Sequence, residues 1–161
     1  MNPCCDQMEL DAAFCRVCEE VVFALVDPVS LEDLVDEAGP YLAATVSVDG
    51  PITGSVSILT SLPTVQELAS NLLVDDADEG TGPALLRELA NIAAGVLVGL
   101  LTDEQGLCSF GVPSDRVCDQ GRWQQACAAE GSRGYRCDEG SLLWSWNLHA
   151  ATGRLQAREV R

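Results

Sequence analysis

The segment from Leu89 to Leu101 restricts what this chain can fold into more than any other. It runs for 13 residues and is apolar or glycine at every position except Asn91. That is too short to span a bilayer, so its apolar side must be buried inside a protein core. The helical pattern extends over about Pro83 to Leu101. On a wheel of about 100° per residue, Leu85, Leu86, Leu89, Ile92, Ala93, Val96, Leu97 and Leu100 fall on one broad face. Glu88 and Asn91, three residues apart, are neighbours beyond the edge of that face, on a stripe shared with Ala84 and Gly95. The wheel predicts that this stripe is exposed.

The surrounding elements suit a helix packed on a sheet. The chain has 161 residues, one domain's length, and is 47% apolar but only 5% aromatic. Its core is therefore mostly aliphatic. Residues 8–26 read as a helix ended by Asp27-Pro28, and a short helical turn is expected over Ser30 to Ala38. Tyr41–Asp49 and Thr53–Thr60 read as strands joined at Asp49-Gly50-Pro51 into a hairpin. Pro63 opens a helix to Leu73. Residues 75–82 form an acidic loop. Leu107–Val112, Gly134–Cys137 and Ser141–His149 read as further strands, and 114–132 has no legible period. Trp144 and Trp146 share one face of the last strand, which makes that strand a candidate sheet edge for pairing with a second copy. The order of elements hints at an internal duplication.

Charge narrows the partners. Nine basic residues, all Arg, stand against 25 acidic ones, a formal charge of −16. Phosphate backbones and anionic membranes would repel such a chain, so neither nucleic acid nor membrane is an expected partner. The first residues lack the charged and apolar regions of a secretory signal, and a cytoplasmic location is expected. Cys15-x2-Cys18 has zinc-like spacing, with Cys4 and Cys5 as further ligand candidates. It falls inside a predicted helix with no close His, so the cysteines read as reduced, small apolar residues and no metal site is expected. His149, the only histidine, has no nucleophile motif to serve.

A carboxylate beside a carboxamide on an exposed stripe has a definite chemistry. The carboxylate can pair with a cation. The carboxamide can donate and accept, so it can orient a water molecule without being a strong base. Phosphoryl hydrolysis requires such positioning. The chain has no phosphate loop, so the phosphoryl group and any metal would come from a partner.

Glu88-Leu89-Ala90-Asn91-Ile92-Ala93-Ala94-Gly95 resembles the E-x-x-N helix of the CheX/CheC family of chemotaxis phosphatases. Gly54-Ser55-Val56-Ser57-Ile58 resembles the family's strand before the first of its paired helices, and Pro63–Leu73 resembles that helix. Ser109-Phe110-Gly111-Val112-Pro113 is similar to the strand that ends in a later proline. The resemblance covers roughly residues 8–149. It implies an α/β (α+β), pseudo-duplicated single domain with a central, mostly antiparallel sheet packed by helices. The expected boundaries are 8–151, with tails at 1–7 and 152–161.

The resemblance further implies a phosphatase for the aspartyl phosphate of a CheY-like receiver. Asn91 would orient water, Glu88 would pair with the receiver's lysine, and the receiver would supply Mg²⁺, with no cofactor bound by this chain. Ala84, Gly95 and Pro113 would flank the docked partner. Members of the family form dimers, so a homodimer is implied as well. The chain departs from the pattern in three ways: Ala84 stands where the family has Asp or Ser, the spacing from Asn91 to Pro113 is about one residue short, and the run from Asp115 to Tyr135 has no clear counterpart. A non-catalytic receiver-binding or dimerisation module is the alternative reading.

Overall fold

The computed structural model describes residues 5–72 and 78–151. Both expected tails lie wholly or mostly outside this range, as do residues 75–77 of the expected acidic loop, whose last two residues, Thr81 and Gly82, open a helix instead. Four helices and seven strands follow in the order α1 (Gln7–Val21), β1 (Asp27–Val29), β2 (Tyr41–Asp49), β3 (Ile52–Ser61), α2 (Leu62–Leu72), α3 (Thr81–Leu101), β4 (Ser109–Phe110), β5 (Ser114–Cys118), α4 (Gln120–Ala128), β6 (Ser132–Cys137) and β7 (Gly140–Ala150). The strands form one sheet in the order β1-β6-β7-β3-β2-β4, with β5 also pairing β2, and every pairing is antiparallel.

Strand alternation gives the sheet two faces. Leu42, Ala44, Val46 and Val48 of β2, Val56 and Ile58 of β3, and Leu142 and Trp144 of β7 point into the larger core beneath α1, α2 and α3. Tyr41, Ala43, Leu59 and Leu143 point the other way, into a smaller core beneath α4 and the 3-10 turn Leu31–Asp33. Gly54 has no Cβ because one would sit 1.9 Å from the Asn147 carbonyl oxygen on β7, the close backbone approach that glycine permits.

α1 is tied to the sheet at several points. Asp6 caps its first turn, accepting from the Glu9 N–H at 2.8 Å. Phe14 stacks on Tyr135 and Trp144 with centroids 4.3 and 4.9 Å away. Asp11 takes a two-pronged contact from Arg133 and a 2.8 Å hydrogen bond from the Tyr135 hydroxyl. Burial and the Asp11 carboxylate both push the Tyr135 hydroxyl far above its ordinary pKa, so it remains a donor.

Several expectations are corrected. The first helix stops at Val21 rather than 26, where Phe23 takes a left-handed φ of 53°. Val22, Ala24 and Val26 are buried while Phe23 and Leu25 are exposed. Burial thus alternates along the link into β1, a pattern hidden in the sequence because all five residues are apolar. The turn expected over Ser30–Ala38 shortens to Leu31–Asp33. The strand expected over Leu107–Val112 shortens to Ser109–Phe110, and the unread stretch holds β5 and α4. The last strand is not an edge: β7 lies between β6 and β3, and Trp144 is fully buried. Its aromatic face fills the core beneath α1.

α4 is held by Trp123, which is fully buried, stacks on Tyr41 at 4.7 Å and donates its indole N–H to the Leu34 carbonyl at 2.7 Å. Trp123→Ala is expected to destabilise by about 3–5 kcal/mol. Trp123→Phe, which keeps a stacked ring and leaves the Leu34 carbonyl its bond from the Glu37 N–H, should cost only about 0.5–1.5 kcal/mol for the lost hydrogen bond. Urea unfolding of both variants checks this; a Trp123→Phe variant as stable as the wild type would mean the indole N–H contributes nothing.

Candidate functional site

α3 is held on several sides. It lies across β2 and β3 and between α1 and α2, burying Leu86, Leu89, Ala90, Ala93, Ala94, Leu97, Val98 and Leu101. The buried face is rotated from the one the wheel suggested: Leu85, Ile92, Val96 and Leu100 are half-buried, while Ala90, Ala94 and Val98 are fully covered. Small side chains on the sheet-facing side allow the helix to approach closely, and a hydropathy wheel gives alanine too little weight to register this. α3 is also the one described helix long and apolar enough to cross a membrane, but 44% of that window is buried within this fold.

The side opposite the sheet carries the candidate residues. Ala84, Glu88 and Asn91 are exposed and Gly95 is half-buried. Among the described residues neither the Glu88 carboxylate nor the Asn91 carboxamide has a hydrogen-bond partner within the chain. Beside them, Arg87 forms a salt bridge with Asp115 of β5, which ties α3 to the sheet next to the stripe. Pro113 is half-buried in the link from β4 to β5, on a different element from the other candidates, and its neighbour Val112 is 91% exposed.

One participant was not legible in the sequence. Gln105, in the 3-10 turn Gln105–Leu107, lays its side chain along the stripe and donates its amide to the Gly95 carbonyl. A Cβ at Gly99 would meet the Gln105 Oε1 at 2.8 Å, while one at Gly95 would meet nothing nearer than the Gln105 amide nitrogen at 3.9 Å. The two glycines therefore admit a side chain of this same molecule at the C-terminal end of the stripe. Gly95 and Gly99, four apart on an exposed face, are the sequence signal for a close approach, but they do not say whose side chain approaches.

Cys15 and Cys18 lie within α1, as the helix reading expected. The Cys15 thiol donates to the Val26 carbonyl at 3.3 Å, and Cys18 is fully buried in the core. Burial pushes the Cys18 thiol far above its ordinary pKa, and the neighbouring Cys15 and Cys137 push it the same way. Cys4 lies outside the described residues. Among those described, no group of three or more His, Cys, Asp or Glu side chains is placed to hold a metal ion.

No family model matches the chain, and no curated protein matches it in sequence. Solved structures do match in shape. The chemotaxis protein CheX from Vibrio vulnificus superposes with a TM-score of 0.62 at 15% identity, over 87% of this chain and 93% of its own. A CheC-like superfamily protein from Shewanella sp. PV-4 gives 0.62 at 16% identity, over 88% and 95%. The CheX of a CheX-CheY-BeF3-Mg²⁺ complex from Borrelia burgdorferi gives 0.61 at 18% identity, over 90% and 99%. The chain thus has the CheX/CheC fold, a single domain with an antiparallel sheet packed by helices.

Because nothing lies close to a Cβ at Gly95, Gly95→Ala should stabilise the protein by about 0.5–1 kcal/mol through helix propensity alone. A thermal or urea unfolding shift of the opposite sign would show that the Gln105 contact cannot adjust to a methyl group there.

Proposed function

We propose that this chain docks the α3 stripe onto a phosphorylated receiver domain and speeds hydrolysis of its aspartyl phosphate. One observation carries the reading. Glu88 and Asn91 stand side by side, exposed and without internal partners, on a helix fixed to a CheX/CheC fold. The fold likeness supports the choice of partner, since the Borrelia CheX was solved with CheY, BeF3 and Mg²⁺.

The geometry suits the chemistry. Hydrolysis of an acyl phosphate passes through a loose transition state that asks for an in-line water and for charge stabilisation. The Asn91 carboxamide offers an acceptor for one water hydrogen and donors for the phosphoryl oxygens, which sets the water's direction without removing its proton. The Glu88 carboxylate, one turn away on the same side, pairs with the receiver's lysine and fixes the docked register. The metal in this reading belongs to the receiver, together with the phosphoryl group. Arg87 is spent on Asp115, so it steadies the helix rather than the phosphate.

Ala84 favours a second reading. It is exposed one turn before Glu88, where the resembled motif carries a polar side chain able to bond a partner. A stripe with that group missing could bind a receiver without hastening hydrolysis.

The experiment follows the decay of aspartyl phosphate on receivers from the same genome. The wild-type chain is expected to shorten the phosphate lifetime. Asn91→Ala should lose about 10²-fold or more of that acceleration, the scale of a misplaced nucleophile, while still binding a BeF3-treated receiver. Binding without acceleration by the wild type would establish the second reading. Absence of both would remove the receiver as partner.

A further inference from the structure

The sheet face away from α3 is only partly roofed by α4. Beyond that roof it carries a row of hydroxyls: Ser114, Thr45, Ser57, Ser145 and Ser132 sit opposite one another in turn across β5, β2, β3, β7 and β6. Thr45 and Ser57 are joined at 2.8 Å, and the Ser132 hydroxyl lies 3.0 Å from that of Ser145. Two clefts open over this row. One, of about 490 Å³, is bordered by Ser57, Ser145, His149 and Arg122. The other, of about 370 Å³, is bordered by Thr45, Ser114, Arg116, Cys118 and Arg122. Arg122 stands between them.

The second cleft gathers positive charge. Three of the six described arginines are ion-paired, Arg87 with Asp115, Arg133 with Asp11 and Arg136 with Glu37, and Arg16 stands alone and exposed on α1. Among the described residues Arg116 and Arg122 have no acidic partner, yet they converge on one cleft. Of the nearby carboxylates, Asp115 is held in the Arg87 pair and Asp119 caps α4 through the Arg122 N–H at 2.9 Å, while Glu130 borders the other cleft and not this one. The Cys118 thiol registers the convergence. Burial raises its pKa, Arg122 pulls it down, Asp119 raises it, and Arg116 pulls it down again.

Two guanidiniums without an ion-pair partner, beside the hydroxyls of Thr45 and Ser114, match a group with charge near −2 and acceptors on several sides. A phosphate monoester has this character, since its tetrahedral oxygens take donors from several directions. A flat carboxylate would leave donors unfilled. From this juxtaposition we infer that the cleft between α4 and β5 is a binding site for a small phosphate-bearing molecule, on the opposite face of the sheet from Glu88 and Asn91.

The test is titration calorimetry of the full chain with inorganic phosphate and, in a parallel arm, succinate, at low ionic strength. Phosphate is expected to bind at one site per chain and to slow labelling of Cys118 by iodoacetamide. Arg122→Gln and Arg116→Gln should each weaken it about tenfold, the loss of one charge-assisted contact. Arg122→Lys, which keeps the charge but not the fork, should weaken it less. Asn91→Ala should bind phosphate as the wild type does. No phosphate binding by the wild type, succinate binding as tightly as phosphate, or unchanged affinity in both glutamine variants would each overturn the assignment.

Discussion

The packing of α3 against β2 and β3 is the contact on which the rest of the structure depends. Leu86, Leu89, Ala90, Ala93, Ala94, Leu97 and Val98 are each 1% exposed or less, and α1 and α2 flank the same helix. Burial on this scale is non-directional in its driving force, but it fixes the helix's rotation. Any turn that exposed Ala90 or Ala94 would lift the sheet-facing contacts, and any turn the other way would bury Glu88 without a partner, at the cost of a desolvated charge. The orientation of the Glu88–Asn91 stripe therefore follows from the core. The Arg87–Asp115 pair adds a polar tie at the margin of the stripe.

The sheet separates two environments. One face meets three helices and supplies most of the core; the other meets a single short helix and one 3-10 turn. α4 suffices because Trp123 concentrates its contact into one stacked and hydrogen-bonded anchor. The hydroxyl row beyond it needs no roof, since Thr45, Ser57 and Ser132 satisfy one another or nearby backbone groups. The polar half of that face is thus compatible with water, and with ligands that resemble water in offering acceptors.

Much of the fold was legible where period and punctuation agreed. The β2–β3 hairpin, α2 after Pro63, α3 and β7 were all read from alternation or helical spacing near turn residues. The failures have physical causes. Val22 to Val26 is uniformly apolar, so its alternation of buried and exposed residues left no trace. α4 is short and polar, Gln120-Gly121-Arg122-Trp123-Gln124-Gln125, and its only strong signal is one tryptophan whose partner, Leu34, lies 89 residues away. The aromatic face of β7 suggested an edge because sequence shows which residues share a face but not what covers them. At the site, the exposure of Glu88 and Asn91 followed from the wheel. Gln105 did not, because its place on the stripe depends on how the chain turns back after Leu101.

The separation between scaffold and surface bears on Ala84. It is exposed and lies outside the buried face of α3, so the core places no demand on which residue stands there. The same holds for Glu88 and Asn91: their removal would leave the packing of α3 intact. The fold therefore supplies a rigid stripe whatever its chemistry, and function rests on the few side chains that project from it. Gln105 is different, because the Gly95 contact ties its position to the helix itself. It brings a second carboxamide to the C-terminal end of the stripe while Ala84 leaves the N-terminal end bare. In the docking proposed above, a partner laid along this helix would meet its polar contacts from Glu88 onward, displaced toward Leu101 relative to a motif that begins one turn earlier.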